Sequence, residues 1–97
     1  MFEIDVRLPE GAALQTMPDQ IEEQCRAEGM ISAMRGTLAT YPGCVHWHFK
    51  RPGQPGTLEV TWWPKNNRLW FKVADGRDGP WIKPAINRVK AALEAKV

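Results

Sequence analysis

The chain is poor in cysteine. It has only Cys25 and Cys44, and no C-x-x-C pair. That removes a disulfide framework and dithiol redox chemistry from consideration. Long apolar runs are absent too. The longest uncharged stretch, Gly36 to Phe49, is interrupted by Pro42 and Gly43, and a bilayer span needs about 20 apolar residues. Phe2, Glu3, Ile4 and Asp5 do not make a basic-then-apolar leader. The expected setting is therefore the cytoplasm, with reduced thiols and no membrane partner. There is no Walker loop, no G-x-G-x-x-G and no nucleophile elbow, so nucleotide and serine-hydrolase chemistry have no support. No repeat, low-complexity tract or linker divides the chain. Its 97 residues are expected to form a single domain spanning 1–97.

The charge is nearly balanced at +2 but unevenly spread. Residues 1–44 hold seven acids and three bases, a net of −4, and residues 45–97 hold four acids and ten bases, a net of +6. A basic half points to an anionic partner, or to two halves that attract each other across one small domain.

Hydrophobic periodicity supplies the fold. Phe2, Ile4, Val6 and Leu8 alternate with charged residues as a half-buried strand does, and Pro9 and Gly11 stop it. A helix follows, with Thr16 as cap, Pro18 in the first turn and Asp19, Glu22 and Glu23 at its positive end. Ile21, Ala27, Ile31, Met34 and Leu38 form its loose apolar stripe, with Cys25 on the buried face. It stops at Arg35 and Gly36, or earlier, near Glu28, if Gly29 breaks it. Tyr41 to Gly43 is a turn. Three strands come next, centred on Val45–Phe49, Leu58–Trp62 and Leu69–Val73 and joined by Arg51–Gly56 and Pro64–Asn67. A closing helix starts between Pro80 and Pro84. Ile82, Ile86, Val89 and Leu93 form its stripe, Lys90 and Lys96 lie toward its end, and Trp81 lids the core edge. The expected fold is α+β, a two-layer sandwich in β-α-β-β-β-α order. It is an antiparallel meander with both helices packed on one face.

In outline this order is similar to that of double-stranded RNA binding domains and of HicA-type mRNA-cleaving toxins. Gly43 stands shortly before His46, and a Pro52–Gly53 turn and a strand follow. The glycine-to-histidine spacing, the longer first helix and the third strand depart from the toxins. Lys83, Arg88 and Lys90 are only a faint counterpart of the RNA-binding basic cluster. A likeness of topology carries no function and assigns the chain to no family.

Function is sought on the uncovered sheet face, which carries His46, His48, Lys50, Glu59, Thr61, Trp63, Arg68, Trp70 and Lys72. Five tryptophans are many for 97 residues, and Trp63 and Trp70 have no evident core place. The leading expectation is a non-enzymatic binding domain without a cofactor. Trp63, Trp70 and His48 would stack on unpaired bases, with Lys50, Arg68 and Lys72 tracking phosphates. The same face could instead form a protein interface or homodimer, or lie under a loop such as Arg51–Gly56. A third class is chemistry. Cys44, His46 and His48 are spaced by two along a strand, about 6–7 Å apart. They are metal-ligand types, with Glu59 or Cys25 to complete the set, and either histidine could serve as a general base. An N-terminal strand placed beside the His46 strand would bring Glu3 and Asp5 to His46 and Lys50. In the Asp75–Gly79 segment a turn and helix cap is the expected role, since calcium-loop ligands are not spaced there.

Overall fold

A computed structural model describes residues 1–8 and 15–95. The expected stop at Pro9 and Gly11, and Lys96, lie outside the described residues. Five strands and two helices occur among those described: β1 (Phe2–Val6), α1 (Met17–Ala27), β2 (Ile31–Gly36), β3 (Val45–Lys50), β4 (Leu58–Trp63), β5 (Arg68–Val73) and α2 (Ile82–Glu94). The fold is α+β. All strand pairs are antiparallel, and the sheet order is β1-β5-β4-β3-β2. No helix among the described residues is long and apolar enough to cross a membrane.

The element order carries one correction. The first helix does not run on to Arg35–Gly36, and Ile31 to Gly36 is a strand instead. Gly29 takes φ 78°, a conformation that a side chain disfavours. Its N–H donates to Arg26 O at 2.9 Å, and Met30 N–H donates to Cys25 O at 3.1 Å. This pair of bonds is the Schellman closure, which satisfies the last helical carbonyls and turns the chain away. At the other end Met17 is the first helical residue and Pro18 follows it. The Thr16 hydroxyl accepts from the Gln20 side-chain amide at 2.9 Å.

The released strand β2 pairs with β3 at the sheet edge. A bulge between Ser32 and Met34 leaves Ala33 without a partner in the register. All six β2 residues are exposed, Ile31 at 53% and Met34 at 39%. The place beside the His46 strand is thus taken by β2. β1 lies at the far edge instead, with Glu3 opposite Lys72 and Asp5 opposite Trp70.

The core lies between one sheet face and the two helices. Trp47, Phe49, Leu58, Val60, Trp62, Leu69, Phe71 and Val73 come from the sheet. They meet Met17, Ile21 and Cys25 of α1 and Ile82, Ala85, Ile86, Val89 and Leu93 of α2. Each large side chain removed from water contributes about 1.5–3 kcal/mol, so the α2 stripe alone is a major term. Cys25 belongs to this core. Burial first, and then the charges of Glu22 and Glu28, push its thiol up to about 12, so it stays a small hydrophobe.

Trp81 is part of the core, and its indole N–H donates to Pro55 O at 2.7 Å. The Arg51–Gly56 loop therefore packs against the start of α2 rather than over the uncovered sheet face. Acids of the first half meet bases of the second at Asp5–Arg68 (3.2 Å) and Glu28–Arg88 (2.7 Å). Arg51 also donates to the Glu28 carbonyl at 2.6 Å. The charge asymmetry along the sequence is partly neutralised across the fold. Exposed pairs of this kind add little stability each.

Candidate functional site

The outer sheet face is ordered by cross-strand register. One row runs Met34, His48, Glu59, Lys72 and Glu3 from β2 to β1. The next runs Gly36, His46, Thr61, Trp70 and Asp5. A third sets Trp63 opposite Arg68, and Lys50 lies opposite Ile31. Residues directly opposite in an antiparallel pair have Cβ atoms about 4.5–5.5 Å apart, so the register decides which groups meet.

The aromatic part of the face is covered. Tyr41, from the loop between β2 and β3, meets the Trp63 ring at 5.0 Å and the Trp70 ring at 4.9 Å, both edge-on. The Trp63 indole N–H donates to Pro42 O at 3.0 Å. The Arg68 guanidinium lies 4.1 Å from the Trp70 ring centroid while also bonding Asp5. Trp70 is only 4% exposed. The loop that folds over this face is the one carrying Tyr41, not Arg51–Gly56. Of the bases expected to track phosphates, Lys50 is exposed, Arg68 is bound to Asp5, and Lys72 stands in register between Glu59 and Glu3.

The histidine part is different. His46 and His48 rings stand 5.1 Å apart, nearly perpendicular. Glu59, opposite His48 on β4, reaches both: its Oε1 is 3.5 Å from His46 Nε2 and 3.8 Å from His48 Nε2. One ligand atom from each of the three lies within 4.8 Å of the others. His46 Nδ1 contacts Thr61 Oγ1 at 2.8 Å. In the tautomer where Nδ1–H donates to Thr61, the Nε2 lone pair faces the cluster. An outer partner on the second ring nitrogen is the usual way a ligating histidine is oriented. Tetrahedral zinc at about 2.0–2.1 Å from each donor sets its ligand atoms about 3.3 Å apart. Glu59 Oε1 stands near that spacing from each Nε2, at 3.5 and 3.8 Å, and the three donors together lie within 4.8 Å of one another.

Cys44 does not join the cluster. Its sulfur accepts from Leu38 N–H at 3.2 Å and lies 3.6 Å from Thr37 Oγ1, which ties it to the Tyr41 loop. Cys25 is in the core on the other side of the sheet. Three participants were not assigned from sequence: Tyr41 as a cover, Thr61 as a partner of His46, and Met34 on this face. Only Thr61 had a signal, its even spacing from Glu59 on the same strand.

His46 is 5% exposed. Burial lowers its pKa below the ordinary 6.5, His48 and Lys72 lower it further, and Glu59 opposes them. Above pH 6.5 the ring is neutral in folded and unfolded chains alike. Below 6.5 the unfolded chain takes up a proton that the folded chain resists. Stability is therefore full above that pH and is lost as pH falls toward and through the lowered folded value. Urea unfolding on either side of pH 6.5 is expected to show this loss, and His46→Gln is expected to reduce it. An equal pH dependence in the two proteins would overturn the assignment to His46.

Comparison with known proteins adds no assignment: the chain matches no family model, no curated protein and no solved structure.

Proposed function

We propose that this protein binds a transition-metal ion on the outer face of its sheet, through His46, His48 and Glu59. The observation that carries the reading is one carboxylate oxygen within 4 Å of two imidazole nitrogens on the neighbouring strand. Imidazole suits zinc, copper, iron and nickel, and a carboxylate beside it balances the added charge. A neutral His46 is the ligating form, and the causes that lower its pKa favour that form.

The alternative in which Trp63 and Trp70 stack on nucleic-acid bases has less support, because Tyr41 and Arg68 already occupy the Trp70 ring. A dimer seam built on the same two indoles meets the same obstacle. A general-base role for His46 or His48 would use the same atoms as the metal.

The test is a Co(II) titration followed by its visible absorption, with Zn(II) as competitor. One equivalent is expected to bind. His46→Ala, His48→Ala and Glu59→Gln are each expected to weaken binding by on the order of tenfold or more, and acid is expected to release the ion. No Co(II) spectrum, or equal binding by the His46→Ala and His48→Ala variants, would sink the proposal.

A further inference from the structure

We infer that the ion held by His46, His48 and Glu59 keeps one coordination position open, and that this position and Lys72 together bind a phosphate group, as the free ion or a monoester. The inference rests on the metal-site reading above and names what that site takes. The trio supplies three donors, and among the described residues no fourth histidine, cysteine or carboxylate joins them. Zinc bound by three protein ligands leaves its fourth position to water or substrate. Both Nε2 atoms turn toward Glu59 on β4, so the ion belongs over β3 and β4 on the outer face. His48 is the most open of the three, with its side chain 27% exposed, and solvent reaches the site there.

Lys72 borders the same ground from β5. It stands directly opposite Glu59 in the β4–β5 register, where Cβ atoms lie about 4.5–5.5 Å apart. A lysine opposite a glutamate commonly pairs with it. Here Glu59 turns to the histidines instead, and among the described residues Lys72 forms no ion pair with it or with Glu3 on the other side. Its charge is nonetheless felt at the cluster: the pKa of His46 is lowered by burial first, then by His48 and Lys72 against the opposing Glu59. Charge balance selects the ligand. A divalent ion with Glu59 carries one net positive charge, and Lys72 adds a second. A phosphate monoester carries about 1.5–2 negative charges near neutral pH, whereas a carboxylate carries one and leaves the site positive. Lysine serves phosphate as a point charge, without the bidentate geometry of arginine.

The experiment uses the full chain with one equivalent of Co(II), titrated with inorganic phosphate and separately with methyl phosphate while the visible absorption is followed. Phosphate entering the open position is expected to change the spectrum and to saturate. Methyl phosphate binding as tightly as inorganic phosphate points to a monoester, and its exclusion points to the free ion. Lys72→Met is expected to keep its Co(II) spectrum but to lose on the order of tenfold in phosphate affinity, and Lys72→Arg is expected to recover most of that loss. Lys65→Met, in the Pro64–Asn66 turn, controls for the removal of one surface charge and is expected to bind phosphate as the parent does.

A Co(II) spectrum that phosphate leaves unaltered, or that it bleaches by stripping the ion, would overturn the phosphate assignment and leave the metal site standing. Phosphate affinity in Lys72→Met equal to the parent's, or an equal loss in Lys65→Met, would remove Lys72 from the site. If the chain gives no Co(II) spectrum before phosphate is added, both ideas fall together.

Discussion

Trp47→Ala is expected to cost about 3–5 kcal/mol, a large share of the roughly 5–15 kcal/mol that holds a domain of this size. Trp47 is 0% exposed. Its ring stacks on Phe49 with centroids 6.0 Å apart, and its indole N–H donates to Glu22 Oε2 at 2.8 Å. The same Glu22 oxygen takes the Arg35 guanidinium at 2.8 Å, and Arg35 lies 5.7 Å from the Trp47 ring centroid. Truncation therefore opens a cavity where α1 crosses the sheet and also removes a donor from a half-buried carboxylate. Trp47→Phe keeps most of the volume while losing the N–H and part of the ring, so its cost is expected to be clearly smaller. Trp63→Ala, on the outer face, is the comparison that tests the cause. Urea midpoints showing Trp63→Ala as costly as Trp47→Ala would contradict a packing origin.

Gly79→Ala is the second large effect. A Cβ at residue 79 would fall 2.2 Å from the Pro55 carbonyl oxygen and 3.1 Å from its carbon, both backbone atoms. That oxygen is the acceptor of the Trp81 indole, and the next connection is Thr57 N–H to Arg77 O at 2.9 Å. The methyl can be admitted only by moving the 51–56 loop and breaking the bond to Trp81. Overpacking of this sort typically costs about 1–3 kcal/mol, and the lost hydrogen bond adds about 1 kcal/mol. The expected result is a lowered urea midpoint together with a displaced Trp81 indole N–H signal. A midpoint and an indole signal matching the parent would show that the loop yields freely.

The meander and the closing helix were legible because burial imposes a period on sequence. Trp47, Phe49, Val60, Trp62, Phe71 and Val73 alternate, and Ile82, Ile86, Val89 and Leu93 recur at helical spacing. β2 was not legible for the same reason inverted. All six of its residues are exposed, so no apolar alternation is selected, and the bulge disrupts whatever period remained. Ile31, Met34 and Leu38 then mimic a helical stripe that Gly29 in fact ends. The histidines of the site were legible as His-x-His, since alternation alone puts both on one face. The meeting with Glu59 depended on the β3–β4 register. Tyr41 gave no signal, because a loop's destination depends on tertiary contacts rather than on local pattern. The same fact misdirected the aromatic face: alternation correctly put Trp63 and Trp70 outside the core but could not say that a loop returns to cover them.

The extra residue in β2 changes the parity of everything after it. In an uninterrupted strand Met34 would turn inward beside Phe49 and Trp47, and Arg35 would turn outward, away from Glu22. With Ala33 interposed, the two exchange sides. The cation reaches the carboxylate of α1, and the sulfur stays on the outer face beside Gly36. The kink has a cost to any would-be neighbour as well. A strand approaching this edge from solvent meets a backbone whose hydrogen-bonding groups are out of step. One inserted alanine thus ties the strand to α1 while making its open side a poor template for fibril growth.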